Sequence, residues 1–217
     1  MGNLAENLAG KFIVLDGPDG SGKTTQLRFL AEHLEAQGAA VERVRDPGGT
    51  DVGDKIRQIL LDRGTSALAP LCETMLFMAS RAQLVAERIR PALAAGKVVL
   101  CDRFISATAA YQGASGVDAG KILAVGDVAV GSLWPDLTVV LDLPAGAGLE
   151  RVGRRNGQAD DADRMESRPL AYHDAVRQNF AALAGRYPGP VVCVPADGDE
   201  GAVFERVLGE LARAFGG

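Results

Sequence analysis

Gly17-Pro18-Asp19-Gly20-Ser21-Gly22-Lys23-Thr24 is the stretch that decides the fold, because it fits the pattern G-x-x-x-x-G-K-[ST]. The apolar run Phe12-Ile13-Val14-Leu15 before it is typical of a short buried strand. From Thr24 onward, apolar residues recur at helical spacing until Gly38 provides a stop. The pattern therefore lies between a predicted strand and a predicted helix, which is the context in which it binds phosphate.

The residue types in this loop predict a site for a nucleoside triphosphate and Mg²⁺. Glycines let backbone N–H groups point at phosphate oxygens, and the following helix adds the positive end of its dipole. We expect Lys23 to reach the β- and γ-phosphates and the Thr24 hydroxyl to ligate Mg²⁺. The predicted ATP-binding residues are Gly17, Pro18, Asp19, Gly20, Ser21, Gly22, Lys23 and Thr24.

Strand and helix patterns alternate along the rest of the chain, which predicts a parallel sheet covered by helices on both faces. The predicted fold is a three-layer α/β/α P-loop NTPase fold with a parallel five-stranded sheet, in a single domain of residues 1–217. The further predicted strands are Val41 to Val44, Val98 to Cys101, Thr138 to Leu143 and Val191 to Val194. Helical patterns begin after Asp51, run from about Pro70 to Ala95 with Pro91 ending or kinking them, run from Asp118 to Val130, and begin near Gly146, near Asp163 and at Glu200.

The composition is that of an ordinary globular protein, with 47% hydrophobic and 24% charged residues. A formal net charge of −5 argues against a nucleic-acid partner. Residues 1–10 lack the features of a signal peptide, and no apolar run approaches the roughly 20 residues that span a bilayer, so we expect a cytoplasmic protein with no membrane partner. The cysteines are far apart and are expected to be reduced core thiols: Cys72, Cys101 and Cys193.

Asp102 and Arg103 follow the predicted strand Val98 to Cys101 directly. A carboxylate at a strand end beside a phosphate loop can reach a water on bound Mg²⁺, so Asp102 is a predicted metal residue together with Thr24. Arg103 is predicted to bind an anion. The alternatives are a turn-forming or capping Asp and a surface ion pair for the arginine.

Arg45-Asp46-Pro47-Gly48-Gly49-Thr50 follows the second predicted strand and so lies at the same edge of the sheet. The segment from Asp46 to Gly49 matches the D-x-x-G element of a GTPase switch. The chain contains no N-K-x-D sequence that would read guanine, which argues against a switch protein.

Phe77 and Arg81 are four residues apart in the predicted helix from Pro70 and therefore share a face. Neighbours three and four residues from Arg81 are apolar, so no carboxylate of its own helix can pair with it. One interpretation is a ligand carbonyl that Arg81 contacts beneath the stacked Phe77 ring. The others are a carboxylate from another segment and a core role for Phe77.

Arg151, Arg154 and Arg155 share one face of a predicted helix that leads into a polar, acidic stretch from Asn156 to Asp163. We interpret this region, at about residues 151–166, as a mobile lid. Its arginines could supply positive charge to a transferring phosphoryl group, because the phosphate loop has no arginine of its own. The alternative is a solvated face paired with Asp160, Asp161 and Asp163.

From about Gly10 onward the chain resembles the bacterial thymidylate kinases, which phosphorylate dTMP to dTDP with ATP. Four motifs in the family's order carry the resemblance. They are the phosphate loop, the Arg45 to Thr50 stretch, Asp102-Arg103-Phe104 leading to Ser106, Tyr111 and Gln112, and the lid with Asp163-Arg164-Met165-Glu166. Asp19 and Asp46 stand where the family more often has Glu.

The resemblance implies roles for particular residues and a homodimer. Phe77 would stack on thymine, Arg81 would donate to its exocyclic oxygen, and Tyr111 would crowd the position of a 2′-hydroxyl. Arg45 and Arg103 would hold the acceptor phosphate, Thr108 and Gln112 would line the base side, and Asp19 would face the acceptor sugar or a metal-bound water. The predicted catalytic set is Asp19, Lys23, Asp102, Arg103, Arg154 and Arg155. Another pyrimidine nucleoside monophosphate kinase and an ATP-binding module without an acceptor are the alternatives.

Overall fold

The structure is a computed structural model that describes residues 4–65, 68–156 and 163–216. Helices and strands alternate along most of the chain. In order they are α1 (Leu4–Asn7), β1 (Phe12–Asp16), α2 (Lys23–Ala36), β2 (Val41–Arg45), α3 (Asp51–Leu61), α4 (Pro70–Leu84), a π-helical turn (Val85–Ile89), α5 (Arg90–Ala94), β3 (Val98–Asp102), α6 (Ile105–Ala114), α7 (Ala119–Val130), β4 (Leu137–Asp142), α8 (Ala145–Asn156), α9 (Leu170–Ala181), β5 (Val191–Pro195) and α10 (Glu200–Phe215).

The five strands form one sheet in the order β2-β3-β1-β4-β5, and every neighbouring pair is parallel. Asp102 of β3 lies in register with Leu15 of β1 and with Arg45 of β2. The carboxyl ends of the three strands therefore meet at one edge, where ligands bind in open α/β sheets. The predicted five-stranded parallel sheet is confirmed.

Side chains of β1 alternate between two cores, because successive residues of a strand point to opposite faces. Phe12 and Val14 pack in a core with residues of α4, α6, α7 and α9. Ile13 and Leu15 pack in the other, with residues of α1, α2 and α10. Helices on both faces of the sheet complete the three predicted layers.

Helix α6 has no counterpart among the predicted helices. It is buried almost all round, with Ile105 through Gln112 all buried, so it lacks the amphipathic spacing by which a surface helix is recognised. The helix predicted near Asp163 begins instead at Leu170, after a turn and Pro169. Proline fits at a helix start because its missing N–H would have no partner there.

The cysteine expectation is wrong at two of three positions. Cys101 is buried, whereas Cys72 and Cys193 are exposed, and all three are free thiols. Cys72 lies in the first turn of α4, and Cys193 lies on β5, which is an edge strand of the sheet formed by the described residues. Among the described residues, no helix is both long enough and apolar enough to cross a bilayer.

Candidate functional site

A cavity of about 1060 Å³ lies at the carboxyl edge of the sheet. Its walls come from the loops after β1 and β2, from α4 and α6, and from the loop between β5 and α10. Residues predicted from separate motifs meet in this cavity. They are Asp19, Gly20, Ser21, Gly22, Lys23, Thr24, Arg45, Phe77, Arg81, Asp102, Arg103, Thr108, Tyr111 and Gln112.

The loop after β1 requires glycine at defined positions. Gly17, Gly20 and Gly22 have φ angles of +133°, +74° and +94°, a region that residues with a side chain rarely adopt. A Cβ atom at Gly20 would also lie 2.1 Å from the carbonyl oxygen of Gly148 in α8. The loop backbone thus packs directly against the helix that leads into the predicted lid.

Lys23 is the first residue of α2, and its side chain folds back under the loop. Its ammonium donates to the carbonyl oxygens of Gly17 at 3.1 Å and Pro18 at 2.8 Å. Burial, followed by repulsion from Arg103, lowers the pKa of Lys23 to about 8. A bound phosphate would stabilise the charged form, because an anion offsets the cost of desolvating an ammonium.

Thr24 and Asp102 meet as their sequence positions predict. The Thr24 hydroxyl donates to Oδ2 of Asp102 at 2.7 Å, which joins the first turn of α2 to the end of β3. Both side chains line the cavity. Hydroxyl and carboxylate oxygens are the ligand types that Mg²⁺ takes, so this pair fits the predicted metal site.

Arg103 connects Asp19 of the phosphate loop to Tyr111 of α6. Its Nη2 lies 2.5 Å from Oδ1 of Asp19, and the Tyr111 hydroxyl donates to Oδ2 of the same carboxylate at 2.8 Å. Burial alone would raise the pKa of Asp19, but Arg103 and Lys23 hold it below its usual value. Arg103 has a φ of +70°, a backbone conformation that costs a residue with a side chain about 1–3 kcal/mol and is found most often at functional sites.

Arg81 pairs with a carboxylate from another segment, the simpler of the two interpretations of its apolar helix face. Its Nε donates to Oδ2 of Asp46 at 2.5 Å, and Nη2 donates to the carbonyl of Phe104 and the hydroxyl of Thr108. Arg81 nevertheless lines the cavity beside Phe77. With a further contact to the sulfur of Met78, four of the five N–H donors of a guanidinium have partners. Contact with a base stays a prediction.

Gln112 is fully buried, and its side-chain amide is held from one side. Its Nε2 donates to Oε2 of Glu73 at 2.8 Å. Its Oε1 has no hydrogen-bond partner among the described residues, and Gln112 lines the cavity near Phe77 and Thr108. Gln112 Oε1 is thus a buried acceptor without a partner among the described residues, in a side chain that lines the cavity.

Two further residues at or beside the site, Asp16 and Arg57, were not predicted from the sequence. Asp16 is fully buried and accepts from the backbone N–H of Gly17 and from Ser106, and burial raises its pKa. Arg57 of α3 lines the cavity, and so does Asp163, which the sequence analysis named only in connection with the predicted lid. Asp16 could have been found as a polar residue ending an apolar strand; Arg57 has no such signal, because it occupies an ordinary polar position of an amphipathic helix.

The arginines of the predicted lid differ in position. Arg151 lines the cavity, with Nη1 3.4 Å from the carbonyl oxygen of Ala196. Arg154 is exposed and pairs with Glu150 at 2.5 Å. The side chain of Arg155 and residues 157–162 lie outside the described part of the chain. The predicted catalytic role of Arg154 and Arg155 stays a prediction.

A glycine-rich loop between a strand and a helix of a parallel sheet, with a hydroxyl and a strand-end carboxylate beside it, defines the class of P-loop nucleotide-binding proteins. Within that class, a family model described as thymidylate kinase matches residues 15–207. The chain belongs to the thymidylate kinase family.

Similar proteins carry the same family name. A thymidylate kinase of Syntrophotalea carbinolica is 46% identical over 199 residues, covering 90% of this chain and 92% of that protein. A thymidylate kinase of Exiguobacterium is 43% identical over 202 residues, covering 93% of each chain. The crystal structure of thymidylate kinase from Ehrlichia chaffeensis superimposes with a TM-score of 0.74 at 30% identity, covering 94% of this chain and 98% of that one.

Proposed function

We propose that this protein transfers the γ-phosphoryl group of ATP to the 5′-phosphate of dTMP, giving dTDP and ADP. One observation carries the proposal. A single cavity is lined both by the phosphate loop with the Thr24–Asp102 pair and by Gln112, whose Oε1 is a buried acceptor without a partner among the described residues. Kinship with proteins named thymidylate kinase at 42–46% identity supports dTMP as the acceptor.

The donor end of the cavity suits the triphosphate of ATP. Backbone N–H groups of the glycine loop and the Lys23 ammonium would hold the phosphates, and Thr24 and Asp102 would hold Mg²⁺. Bound Mg²⁺ supplies charge neutralisation and orientation at the phosphates. Arg151, Gly198 and Val203 also line the cavity, and this part of the wall would face the nucleoside of ATP.

Three arginines of the cavity wall suit the acceptor phosphate. Arg45 ends β2, Arg57 reaches in from α3, and Arg103 follows β3, so cations from three elements line one space. Guanidinium groups bind phosphate through paired N–H donors. The chemistry then needs positioning and charge neutralisation more than a strong base, because a phosphate oxygen is already anionic near neutral pH.

The distal end of the cavity suits thymine by its donors and acceptors. Gln112 Oε1 can accept a hydrogen bond, which matches the N3–H of thymine, and Arg81 can only donate, which matches a ring carbonyl. Cytosine offers an acceptor at N3 and an amino group in place of that carbonyl, so both contacts would be lost. Phe77 supplies an apolar ring in the same wall.

ADP formation with Mg²⁺ and ATP tests the proposal, using dTMP, dUMP, UMP, dCMP or no acceptor. We expect strong stimulation by dTMP and little by dCMP. Preferred turnover of UMP or dUMP would favour the other pyrimidine kinase. ADP formation at the same rate with and without an acceptor would favour an ATP-binding module that has no acceptor. Addition of a metal chelator should abolish the dTMP-dependent rate. Addition of excess Mg²⁺ should then restore it.

The predicted homodimer is part of the proposal and has support from the surface of α3 and α4. These two neighbouring helices expose Val52, Ile59, Leu71 and Met75, each about half accessible. A second copy of the chain would cover such a face. Sedimentation equilibrium tests it, and a monomer at micromolar concentration would contradict it. The cytoplasmic location stays a prediction.

A further inference from the structure

Glu73 is a buried carboxylate that joins two separate parts of the molecule. It lies in the first turn of α4 with 1% of its surface exposed. One oxygen accepts from Nε2 of Gln112 in α6 at 2.8 Å. The other accepts from Nη2 of Arg164, which lies near the carboxyl-terminal end of the predicted lid. Glu73 itself is not part of the cavity wall formed by the described residues.

The contact with Glu73 fixes the orientation of the side-chain amide of Gln112. An ionised carboxylate can only accept hydrogen bonds, so the NH₂ group must face it and Oε1 must face away. Oε1 is buried without a partner among the described residues, and leaving it so costs free energy that a donor on a ligand would recover. If the amide turned over, Gln112 would present a donor instead of an acceptor.

The contact with Arg164 holds the carboxyl-terminal end of the predicted lid. Arg164 also donates from Nε to the carbonyl of Leu60 at 2.9 Å, and its backbone N–H donates to the carbonyl of Leu61 at 3.2 Å. The end of α3 and the start of α4 therefore anchor this segment together. Asp163 and Met165 on either side of Arg164 line the cavity, so movement of the anchor would move part of its wall.

We propose that Glu73 is a positioning residue for the phosphoryl transfer: its carboxylate sets the amide of Gln112 to accept from the base and, through Arg164, holds the carboxyl-terminal end of the predicted lid. The inference rests on the proposed function, since it assigns the cavity end at Gln112 to the base. Base choice and placement of the lid's carboxyl-terminal end then depend on one buried charge.

Glu73→Gln tests the first half of the inference. The new amide can donate to Gln112 or accept from it, so the orientation of Gln112 is no longer fixed. The kcat/KM for dTMP should fall by a factor on the order of ten, mainly through KM, and the dTMP:dCMP ratio of kcat/KM should fall similarly. Glu42→Gln is the matched control, because the Glu42 carboxylate likewise holds two side chains, Arg88 and Lys97, but does so away from the cavity. We expect its ratio to equal that of the wild type.

Arg164→Gln separates the two halves. It should speed hydrogen exchange of the backbone amides of residues 163–168 while leaving the dTMP:dCMP ratio at the wild-type value, because Glu73 still faces Gln112. Glu73→Gln should change both the exchange and the ratio. In a Gln112→Met background, Glu73→Gln should no longer alter the ratio, since the amide it orients is gone.

The outcomes distinguish this inference from the proposed function. A wild-type protein without dTMP-dependent ADP formation would overturn the function itself. The inference would be overturned if the wild type prefers dTMP and folded Glu73→Gln keeps the same dTMP:dCMP ratio of kcat/KM. An equal loss of kcat/KM on both substrates leaves that ratio unchanged too, and would make Glu73 a purely structural residue. Glu73→Asp keeps the carboxylate but shortens the side chain by one methylene, so it should lower the dTMP:dCMP ratio by less than Glu73→Gln does. It serves as the test variant if Glu73→Gln does not fold.

Discussion

Gly148→Ala tests how tightly the phosphate loop is held against α8. A Cβ atom on Gly148 would lie 2.2 Å from the carbonyl oxygen of Asp19, a backbone atom that cannot turn aside like a side chain. Gly146, two residues earlier in the same helix, is exposed and would meet nothing within 4 Å. The two substitutions therefore add the same methyl group to the same helix, one into contact with the loop and one into solvent.

The expected magnitudes follow from helix propensity and from steric overlap. Gly146→Ala should stabilise by up to about 1 kcal/mol, because alanine loses less backbone freedom on folding. Gly148→Ala gains a similar amount but forces the loop or helix to shift, and overpacking of this kind costs roughly 1–3 kcal/mol. The difference between the variants should be about 1–3 kcal/mol. At roughly 2–4 °C per kcal/mol for a protein of this size, that is on the order of 2–12 °C in Tm.

Thermal unfolding together with kinetics of ADP formation measures both consequences. Because Asp19 and Gly20 belong to the loop that would hold the phosphates, Gly148→Ala should also raise the KM for ATP, whereas Gly146→Ala should keep the wild-type value. If Gly148→Ala matches Gly146→Ala in both Tm and KM, the close approach of loop and helix does not constrain the site, and the reasoning fails.

Four further predictions concern charged groups. Wild type should gain about 2 kcal/mol in free energy of unfolding relative to Lys23→Met when the pH rises from 7 to 9.5. The folded state, in which the pKa of Lys23 is about 8, loses a proton over this range, whereas the unfolded state keeps it until the pH approaches the ordinary lysine pKa of about 10.5. Urea unfolding at both pH values measures the gain, and a difference between the two proteins that does not change with pH would contradict it. Asp102→Asn should lower kcat by at least about a hundredfold with little change in Tm, and a variant that kept half the wild-type kcat would rule out the metal assignment. Replacing Arg154 and Arg155 by Ala should lower kcat far more than it raises the KM for dTMP; steady-state kinetics with no change in either value would make them solvated surface residues. Arg81→Met should destabilise by about 3–5 kcal/mol, since its buried partner carboxylate is left unpaired, and an unchanged urea midpoint would show that this pair contributes little.

Local patterns were sufficient for most elements and for the donor end of the site. The glycine loop, Lys23 and Thr24 are contiguous, and the strands around them are short apolar runs, so their geometry is set by neighbours in sequence. Asp102 could be placed beside Thr24 because the carboxyl ends of parallel strands share an edge. Helix α6 escaped because a helix buried on all sides has no polar face to reveal its period.

The acceptor end was decided by the tertiary structure. Sequence spacing identified Phe77 and Arg81 on one helical face, but the partner of Arg81 is Asp46, 35 positions away. Glu73 and Gln112 are 39 positions apart, and Glu73 and Arg164 are 91 apart. Helical and strand periods specify only near neighbours and the face on which a side chain lies. Which buried donor meets which acceptor depends on the order of strands in the sheet and on how the helices pack over it. The sequence alone therefore determined the phosphate loop and the class of fold. The tertiary structure decided how buried polar groups far apart in sequence pair with each other, because each of them must find a hydrogen-bond partner within the protein once packing has removed it from water. This pairing orients the residues proposed to bind the base.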